Sequence, residues 1–236
     1  PFGMVQLSPD TRLTGWDGCG GYHYSDTAIY GFSHTHLQGT GVSDYGDILF
    51  MPCTQFNKNG TSWPERYKSR FTHDSETAHA GHYHVDLLDH GIQVDLTTTP
   101  RVGIHRYQLN QPDTLTLIVD MNHRDELVHY SIYPMNDSTL VGHRVSDNWA
   151  KEQHVYFAAR FDRAFEWQDQ LSEIKDLGQD ANGILQQEME FVPVFACDFG
   201  VVDHMICAQF TNNLHSGSAT DRRHMSPEIM SELYCV

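Results

Sequence analysis

The 236-residue chain predicts an all-β fold, either a sandwich or a barrel. Short runs of alternating apolar and polar residues recur, roughly every 8–12 residues, from the start of the chain to about residue 167. Turn-forming residues separate these runs, and no amphipathic helix longer than a few turns precedes Glu166. The spacing of the runs and the shortage of helical periodicity together indicate stacked antiparallel strands.

The clearest single element is a β-hairpin in which His82–Leu88 and Ile92–Thr99 alternate on either side of an Asp-His-Gly turn. Further strands are expected over residues 105–109, 115–119, 139–143 and 154–161. Beyond residue 165 the pattern weakens: residues 168–177 are compatible with a helix and residues 191–197 with a strand. We therefore divide the chain into a domain at 1–190 and a tail of uncertain structure at 191–236.

Composition and charge exclude some classes of partner. The formal net charge of −16 argues against binding nucleic acid, because a phosphate backbone requires basic side chains. No apolar run is long enough to span a bilayer. The chain starts at Pro1 without a visible leader, so any secretion signal would lie outside this sequence.

Two segments near the start concentrate polar side chains and glycine. They are Gly15–Asp26, which contains Trp16 and Asp17, and Gly31–Asp47, which contains two histidines and two aspartates. Glycine allows a close approach of the backbone to a ligand, and histidine and aspartate supply hydrogen-bonding groups. The two segments are predicted to share one surface that lines a polar pocket.

Several longer motifs, in order over roughly residues 1–167, resemble the N-terminal domain of glycoside hydrolase family 92, the calcium-dependent exo-α-mannosidases. The resembling segments are 1–11, 21–26, 29–37, 39–52, 80–83, 98–107 and 149–157. The resemblance implies a large antiparallel β-sandwich of the supersandwich, galactose-mutarotase-like type. In full-length members an (α/α)6 barrel follows the sandwich, and the active site lies between the two.

The resemblance also implies which groups this chain lacks. In the family the catalytic acid is a glutamic acid, the base is an aspartate, and most calcium ligands come from the barrel. We therefore assign no catalytic residue and no metal ligand here. The chain is expected to be a truncated domain that is incomplete at its start. It is expected to contribute one wall of a site for mannose-terminated N-glycans and to dock on the barrel. The parent protein is expected to be periplasmic or extracellular.

Trp16 and Asp17 are the first candidates for substrate contact. Trp16 lies among glycines and is expected to be more exposed than a core tryptophan, so its flat face can stack on a sugar ring. The other reading is a core or lid tryptophan. Asp17 either accepts hydrogen bonds from sugar hydroxyls or caps the following turn.

His34, His36 and Asp44 complete the predicted substrate-binding set. On a strand, His34 and His36 would face the same side, a spacing that suits pocket lining, structural packing or metal ligation. Asp44 and Asp47 are also candidates for holding the glycine-rich loop through backbone hydrogen bonds, a role that is favoured over chemistry. The histidines between His73 and His90 are interpreted as a solvated face.

The sequence leaves three functional classes open. The first is the sandwich domain of a family 92 α-mannosidase, inactive alone, which supplies one wall of a mannose site. The second is a free-standing carbohydrate-binding module. The third is a metal-dependent β-sandwich enzyme built on His34 and His36.

Overall fold

The computed structural model describes residues 4–37, 42–57, 62–168, 172–179, 185–191 and 193–214. These residues contain one short α-helix, Trp63–Tyr67, two 3-10 turns, Trp16–Gly18 and His73–Ser75, and sixteen strands. The strands are β1 Ser8–Asp10, β2 Ala28–Ile29, β3 Gly31–Ser33, β4 Leu49–Cys53, β5 Ser69–Arg70, β6 Glu76–His79, β7 His82–Leu87, β8 Ile92–Thr98, β9 Val102–Asp120, β10 Glu126–Asn136, β11 Thr139–Asp147, β12 Gln153–Phe161, β13 Glu166–Gln168, β14 Ser172–Gln179, β15 Leu185–Phe191 and β16 Val194–Leu214.

Two long strands, β9 and β16, organise the sheet. They pair antiparallel along both of their halves, and the register is interrupted between Asp198 and His204. The first half of β9 also pairs with β8, and the second half pairs with β4. Twelve of the described strands thus form one antiparallel sheet. One part of the sheet adjoins the first half of β9 and includes β8, and the other part adjoins the second half of β9 and includes β4.

Side chains of the two parts meet in a common core. The ring of Phe50 on β4 lies 6.4 Å from that of Phe157 on β12 and 5.7 Å from that of His105 on β9, measured between centroids. All three residues are buried. The sheet therefore folds over itself, and the predicted large antiparallel β-sandwich is confirmed.

The predicted hairpin is confirmed as β7 and β8. Its alternation is reproduced by burial, since Ile92, Val94 and Leu96 on β8 lie in the core and the residues between them are partly exposed. Gly91 in the connecting turn has a positive φ of 62°, a conformation that glycine adopts without strain.

The prediction of a helix at residues 168–177 is wrong. Residues Ser172–Gln179 form β14, which pairs antiparallel with β15. Eight residues are too few to make a helix stable by propensity alone, so pairing with a neighbouring strand decides their conformation.

The strand expected at residues 191–197 is much longer than predicted, because β16 runs for 21 residues through the middle of the sheet. The division of the chain at residue 190 stays a prediction, and residues 215–236 lie outside the described part. Within the described residues no helix has the length and apolar character needed to cross a membrane.

Candidate functional site

The turn that carries Trp16 presents this side chain to solvent. Trp16 begins the 3-10 turn and is 67% exposed, which confirms the predicted exposure. Gly15 precedes the turn with a φ of 94°. The neighbouring Asp17 carboxylate accepts a hydrogen bond of 2.6 Å from Arg12 Nη1, and this contact lowers the pKa of Asp17. Asp17 is therefore an ionised acceptor, still half exposed, at the edge of the turn.

A buried arginine ties this turn to the second polar segment. Arg124 Nη1 donates to Cys19 O at 3.2 Å and to Ser43 Oγ at 2.8 Å. Arg124 Nη2 donates to Gly18 O at 3.1 Å and to Arg12 O. The two glycine-rich segments thus do meet, as the sequence predicts, and Arg124 joins them.

His36 belongs to a buried ion pair with Asp10. His36 Nε2 lies 3.1 Å from Asp10 Oδ1, and His123 Nε2 lies 3.3 Å from Asp10 Oδ2. Burial raises the pKa of Asp10, but the two adjacent imidazoles outweigh it and bring the pKa well below its usual value. Burial lowers the pKa of His36, yet Asp10 more than offsets this, so its pKa is raised. The pair therefore favours the carboxylate form of Asp10 and the imidazolium form of His36.

Glycine at position 21 is required by this pair. Gly21 has a φ of 90°, and a Cβ there would collide with the Asp10 carboxylate and the His36 ring. The backbone of the first polar segment therefore lies directly on the ion pair. His36 Nδ1 donates to Gln6 O at 2.7 Å, so both ring nitrogens already have partners.

His34 lies at the start of a chain of buried, neutral groups. Its Nδ1 donates to Ile48 O at 2.9 Å, because a carbonyl can only accept. Its Nε2 must then accept from His105 Nε2, 2.8 Å away, and His105 Nδ1 accepts from the Tyr107 hydroxyl at 2.8 Å. Burial lowers the pKa of His34 to about 3 and brings that of His105 well below its usual value, which keeps both rings neutral.

The Asp47 carboxylate forms a buried ion pair with Arg144. The carboxylate also accepts from Thr35 Oγ1 at 2.8 Å and from the Gln153 side chain. Arg144 donates in turn to Met121 O at 2.7 Å and to the carbonyl of Arg124. The prediction that Asp47 holds the glycine-rich loop through backbone hydrogen bonds is wrong, because the partners of its carboxylate are the side chains of Thr35, Gln153 and Arg144.

Asp44 and Asp125 form a carboxyl pair beside an open polar cleft. Asp44 Oδ2 accepts from Ala150 N at 2.8 Å, and Asp125 accepts from Asn148 Nδ2 and Tyr45 N, each at 2.9 Å. Burial, followed by the hydrogen bond to Asp44, raises the pKa of Asp125 to about 7. Asp125 therefore changes its protonation state close to neutral pH.

The cleft itself has a volume of about 610 Å³. Its lining is mostly polar and comes from Leu13, Thr14, Ser43, Asn122, His123, Arg124, Asp125, Glu126, Asp147, Asn148 and Lys151. Leu13 and Thr14 directly precede the turn of Trp16, so the exposed indole and the cleft belong to the same end of the sandwich.

The five residues predicted to bind substrate fall into two groups. Trp16 and Asp17 are accessible, whereas His34, His36 and Asp44 are buried and hydrogen-bonded within the domain. Substrate contact stays a prediction for all five. Residues 38–41, the glycine-rich centre of the second segment, lie outside the described part of the chain.

Sequence reasoning missed the residues that hold the site together: Arg124, His123, Arg144, Asp125 and Asn148. Each contacts residues about 80 to 113 positions earlier in the chain, and no motif marks it. The sequence contains a signal only for the neighbouring segment Trp149–Phe157, which belongs to the resemblance. The resemblance does not indicate that the backbone N–H of Ala150 donates to Asp44.

The described residues show no cluster of metal-binding side chains. No three histidine, cysteine, aspartate or glutamate side chains there are arranged to hold a metal ion. The ring nitrogens of His34 and His36 are engaged in hydrogen bonds, so neither ring offers a free ligand atom. Among the histidines from His73 to His90, His73 pairs with Glu76, and His82 and His84 both pair with Asp95.

The fold is that of a large antiparallel β-sandwich domain. Residues 1–195 match the model of the glycosyl hydrolase family 92 N-terminal domain. The chain therefore belongs to this family. No curated protein matches the chain.

Solved structures agree with this assignment. A GH92 α-mannosidase from Bacteroides thetaiotaomicron, in complex with mannoimidazole, shares 31% identity with a TM-score of 0.72, over 90% of this chain and 29% of that one. A second structure of an α-mannosidase from this bacterium shares 30% identity with a TM-score of 0.75, over 100% of this chain and 32% of that one. An inverting GH92 mannosidase from Bacteroides thetaiotaomicron VPI-5482 shares the fold at 19% identity, with a TM-score of 0.66 over 90% of this chain and 27% of that one. The chain thus spans about a third of the length of these relatives.

Proposed function

We propose that this domain supplies one wall of the mannose site of a secreted, calcium-dependent α-mannosidase that acts on mannose-terminated N-glycans. The catalytic acid, the base and the calcium ligands come from a C-terminal (α/α)6 barrel that docks on the domain. Membership of the family and the relative in complex with mannoimidazole support the reaction class.

The observation that carries the proposal is the exposed indole of Trp16 on a turn that is fixed beside a polar cleft. An aromatic face and a neighbouring set of hydrogen-bonding groups are what a pyranose ring requires, because it has apolar C–H faces and a polar edge. In this arrangement Trp16 stacks on the sugar, and Asp17 accepts from a hydroxyl group.

His34, His36 and Asp44 support the site indirectly in this proposal. Their polar atoms are engaged within the domain, so they fix the loops on which the accessible groups stand. A metal-dependent reaction at His34 and His36 is disfavoured for the same reason.

The isolated chain is expected to bind mannose only weakly. A single aromatic contact contributes about 1–2 kcal/mol, which corresponds to a dissociation constant of about 0.1 M. Hydrolysis should be absent, because an inverting reaction needs two carboxyl groups on opposite sides of the scissile bond.

The experiment follows the indole N–H signals of the four tryptophans by NMR while methyl α-mannoside is added to about 0.1 M. The Trp16 signal, assigned with Trp16→Phe, should shift, and methyl β-galactoside should shift it less. Tyr133→Ala, which removes an exposed aromatic side chain from β10, is the control and should leave the response intact.

Two results would contradict the proposal. An unchanged Trp16 signal would remove the sugar-contact role, and hydrolysis of an aryl α-mannoside above background in calcium would show that the chain is active alone. Calorimetric binding of mannobiose with a dissociation constant of about 1 mM or tighter would instead identify a free-standing carbohydrate-binding module.

A further inference from the structure

The guanidinium group of Arg124 contacts both ends of the turn that carries Trp16. It donates to Arg12 O before the turn and to Gly18 O and Cys19 O after it. Its side chain is buried, and the guanidinium group also donates to Ser43 Oγ on the second polar segment. One rigid, planar cation thus fixes the separation of the two ends.

The position of Arg124 is itself fixed by neighbouring residues of the sandwich. Its carbonyl accepts from Arg144, whose guanidinium also binds Met121 O and the buried carboxylate of Asp47. Gly46, at a φ of 79°, leaves the space that the Arg124 side chain occupies, since a Cβ there would lie 2.6 Å from Arg124 Cδ. The pose of the guanidinium is therefore set by the strands of the sandwich.

The loop around the turn also has hydrogen bonds within itself, among them the bond from Arg12 Nη1 to the Asp17 carboxylate. Thr11 N donates to Gly21 O at 2.9 Å, and Gly21 N donates to Gly18 O at 2.9 Å. These bonds close the loop but do not connect it to β9, β10 or β11. Arg124, which lies between β9 and β10, makes this connection.

We propose that Arg124 is a positioning residue, which orients Trp16 for stacking on a sugar by clamping both ends of its turn to the sandwich. The inference rests on the proposed sugar-binding role of Trp16. The action on the turn is measured without sugar, so the two ideas fail separately.

The test compares the wild-type chain with Arg124→Ala by hydrogen exchange and by the Trp16 indole signal. Each lost hydrogen bond from a charged donor corresponds to roughly a tenfold to hundredfold change in an equilibrium. Amides of residues 12–21 should therefore lose protection by on the order of a hundredfold, while those of β9 and β12 change little. The shift of the Trp16 signal with methyl α-mannoside should disappear.

Chemical rescue separates positioning from general stability. Arg124 lines the open cleft, so a guanidinium ion can enter the space left by the truncated side chain. Guanidinium at about 50 mM, well below denaturing concentrations, should restore protection of residues 12–21 and the sugar response. Urea has a similar shape but no charge, and at the same concentration it should restore neither.

Two further variants complete the comparison. Ser43→Ala removes one partner of Arg124 but leaves its bonds to the turn, so protection of residues 12–21 should stay near wild type. Arg106→Ala removes an exposed arginine from β9 and controls for the lost positive charge.

The outcomes are distinct. Unchanged protection of residues 12–21 in a folded Arg124→Ala protein overturns the proposal. Loss of protection throughout the sheet, without rescue by guanidinium, also overturns it, because Arg124 would then be a general stability residue. A third outcome is that residues 12–21 lose protection in Arg124→Ala and regain it with guanidinium, but the wild-type Trp16 signal does not shift with methyl α-mannoside. In that case Arg124 holds the turn, and the proposed sugar-binding role of Trp16 is wrong.

Discussion

Replacing His34 by asparagine should make the domain markedly less sensitive to acid. His34 is fully buried and neutral, with Nδ1 donating to Ile48 O and Nε2 accepting from His105. Asparagine retains a donor near the position of Nδ1 and does not titrate. The variant is expected to be less stable than wild type at neutral pH, because His105 loses its acceptor.

The size of the effect follows from the pKa of His34. Burial lowers this pKa from 6.5 to about 3 in the folded chain. Between these values the unfolded chain binds a proton that the folded chain does not, so the free energy of unfolding falls as the pH drops below 6.5. At about 1.4 kcal/mol per pH unit, His34 removes about 2 kcal/mol of stability by about pH 5.

Urea unfolding of both proteins at about pH 7.5 and about pH 5 measures this contribution. The stability lost between the two pH values should be smaller in His34→Asn by about 2 kcal/mol, with the slope against urea unchanged. His79→Asn, which removes an exposed histidine from β6, controls for the loss of one histidine. The reasoning is refuted if His34→Asn loses as much stability between the two pH values as wild type does. It is also refuted if His34→Asn and His79→Asn reduce this loss by the same amount.

Three further changes have expected outcomes. Arg144→Met leaves the Asp47 carboxylate buried without its cation and should lower the free energy of unfolding by about 3–5 kcal/mol in urea; a cost below about 1 kcal/mol would contradict the buried pair. Gly21→Ala should cost about 2–4 kcal/mol, because its Cβ meets a buried carboxylate. Gly81→Ala, at a similar φ of 83° in open space, should cost only about 1 kcal/mol. Equal losses of melting temperature in Gly21→Ala and Gly81→Ala would show that the contact with the carboxylate does not destabilise the chain. Burial raises the pKa of Asp125 from 3.8 to about 7, so its folded form binds more protons and stability falls as the pH rises through this window. Asp125→Asn should therefore gain about 2 kcal/mol over wild type at about pH 8, a figure discounted for its partial exposure, and little at about pH 4; a gain of equal size at both would exclude titration as the cause.

The layered β-architecture could be predicted because strand alternation is local. The hairpin of β7 and β8 has a clear period of two and a turn sequence between its strands, and the structure reproduces both. The assignment failed where the pattern is weak. Residues 172–179 lack a clear apolar alternation, and β16 is identified as one long strand only through its pairing with β9 and β12.

The candidate site could be predicted only in its local part. Trp16 and Asp17 stand in a segment whose glycines already indicate an exposed turn, and the structure places them there. Arg124 and Asp125 have no such signal, since their importance arises from contacts with residues some 80 to 110 positions earlier. A single sequence contains no record of such pairings.

The histidines illustrate how burial changes the meaning of a motif. A ring nitrogen can bind a ligand only if no other group occupies it, and in His34 and His36 all four are used within the domain. The two rings nevertheless differ in charge, because His34 faces neutral groups and His36 faces the Asp10 carboxylate. Below pH 6.5 His34 should therefore lower the free energy of unfolding while its folded ring stays neutral down to about pH 3, whereas the contribution of His36 is lost as the pH rises through its raised pKa. The two buried histidines thus fix the loops next to Trp16 by different means, which is the condition that a rigid sugar-binding surface requires.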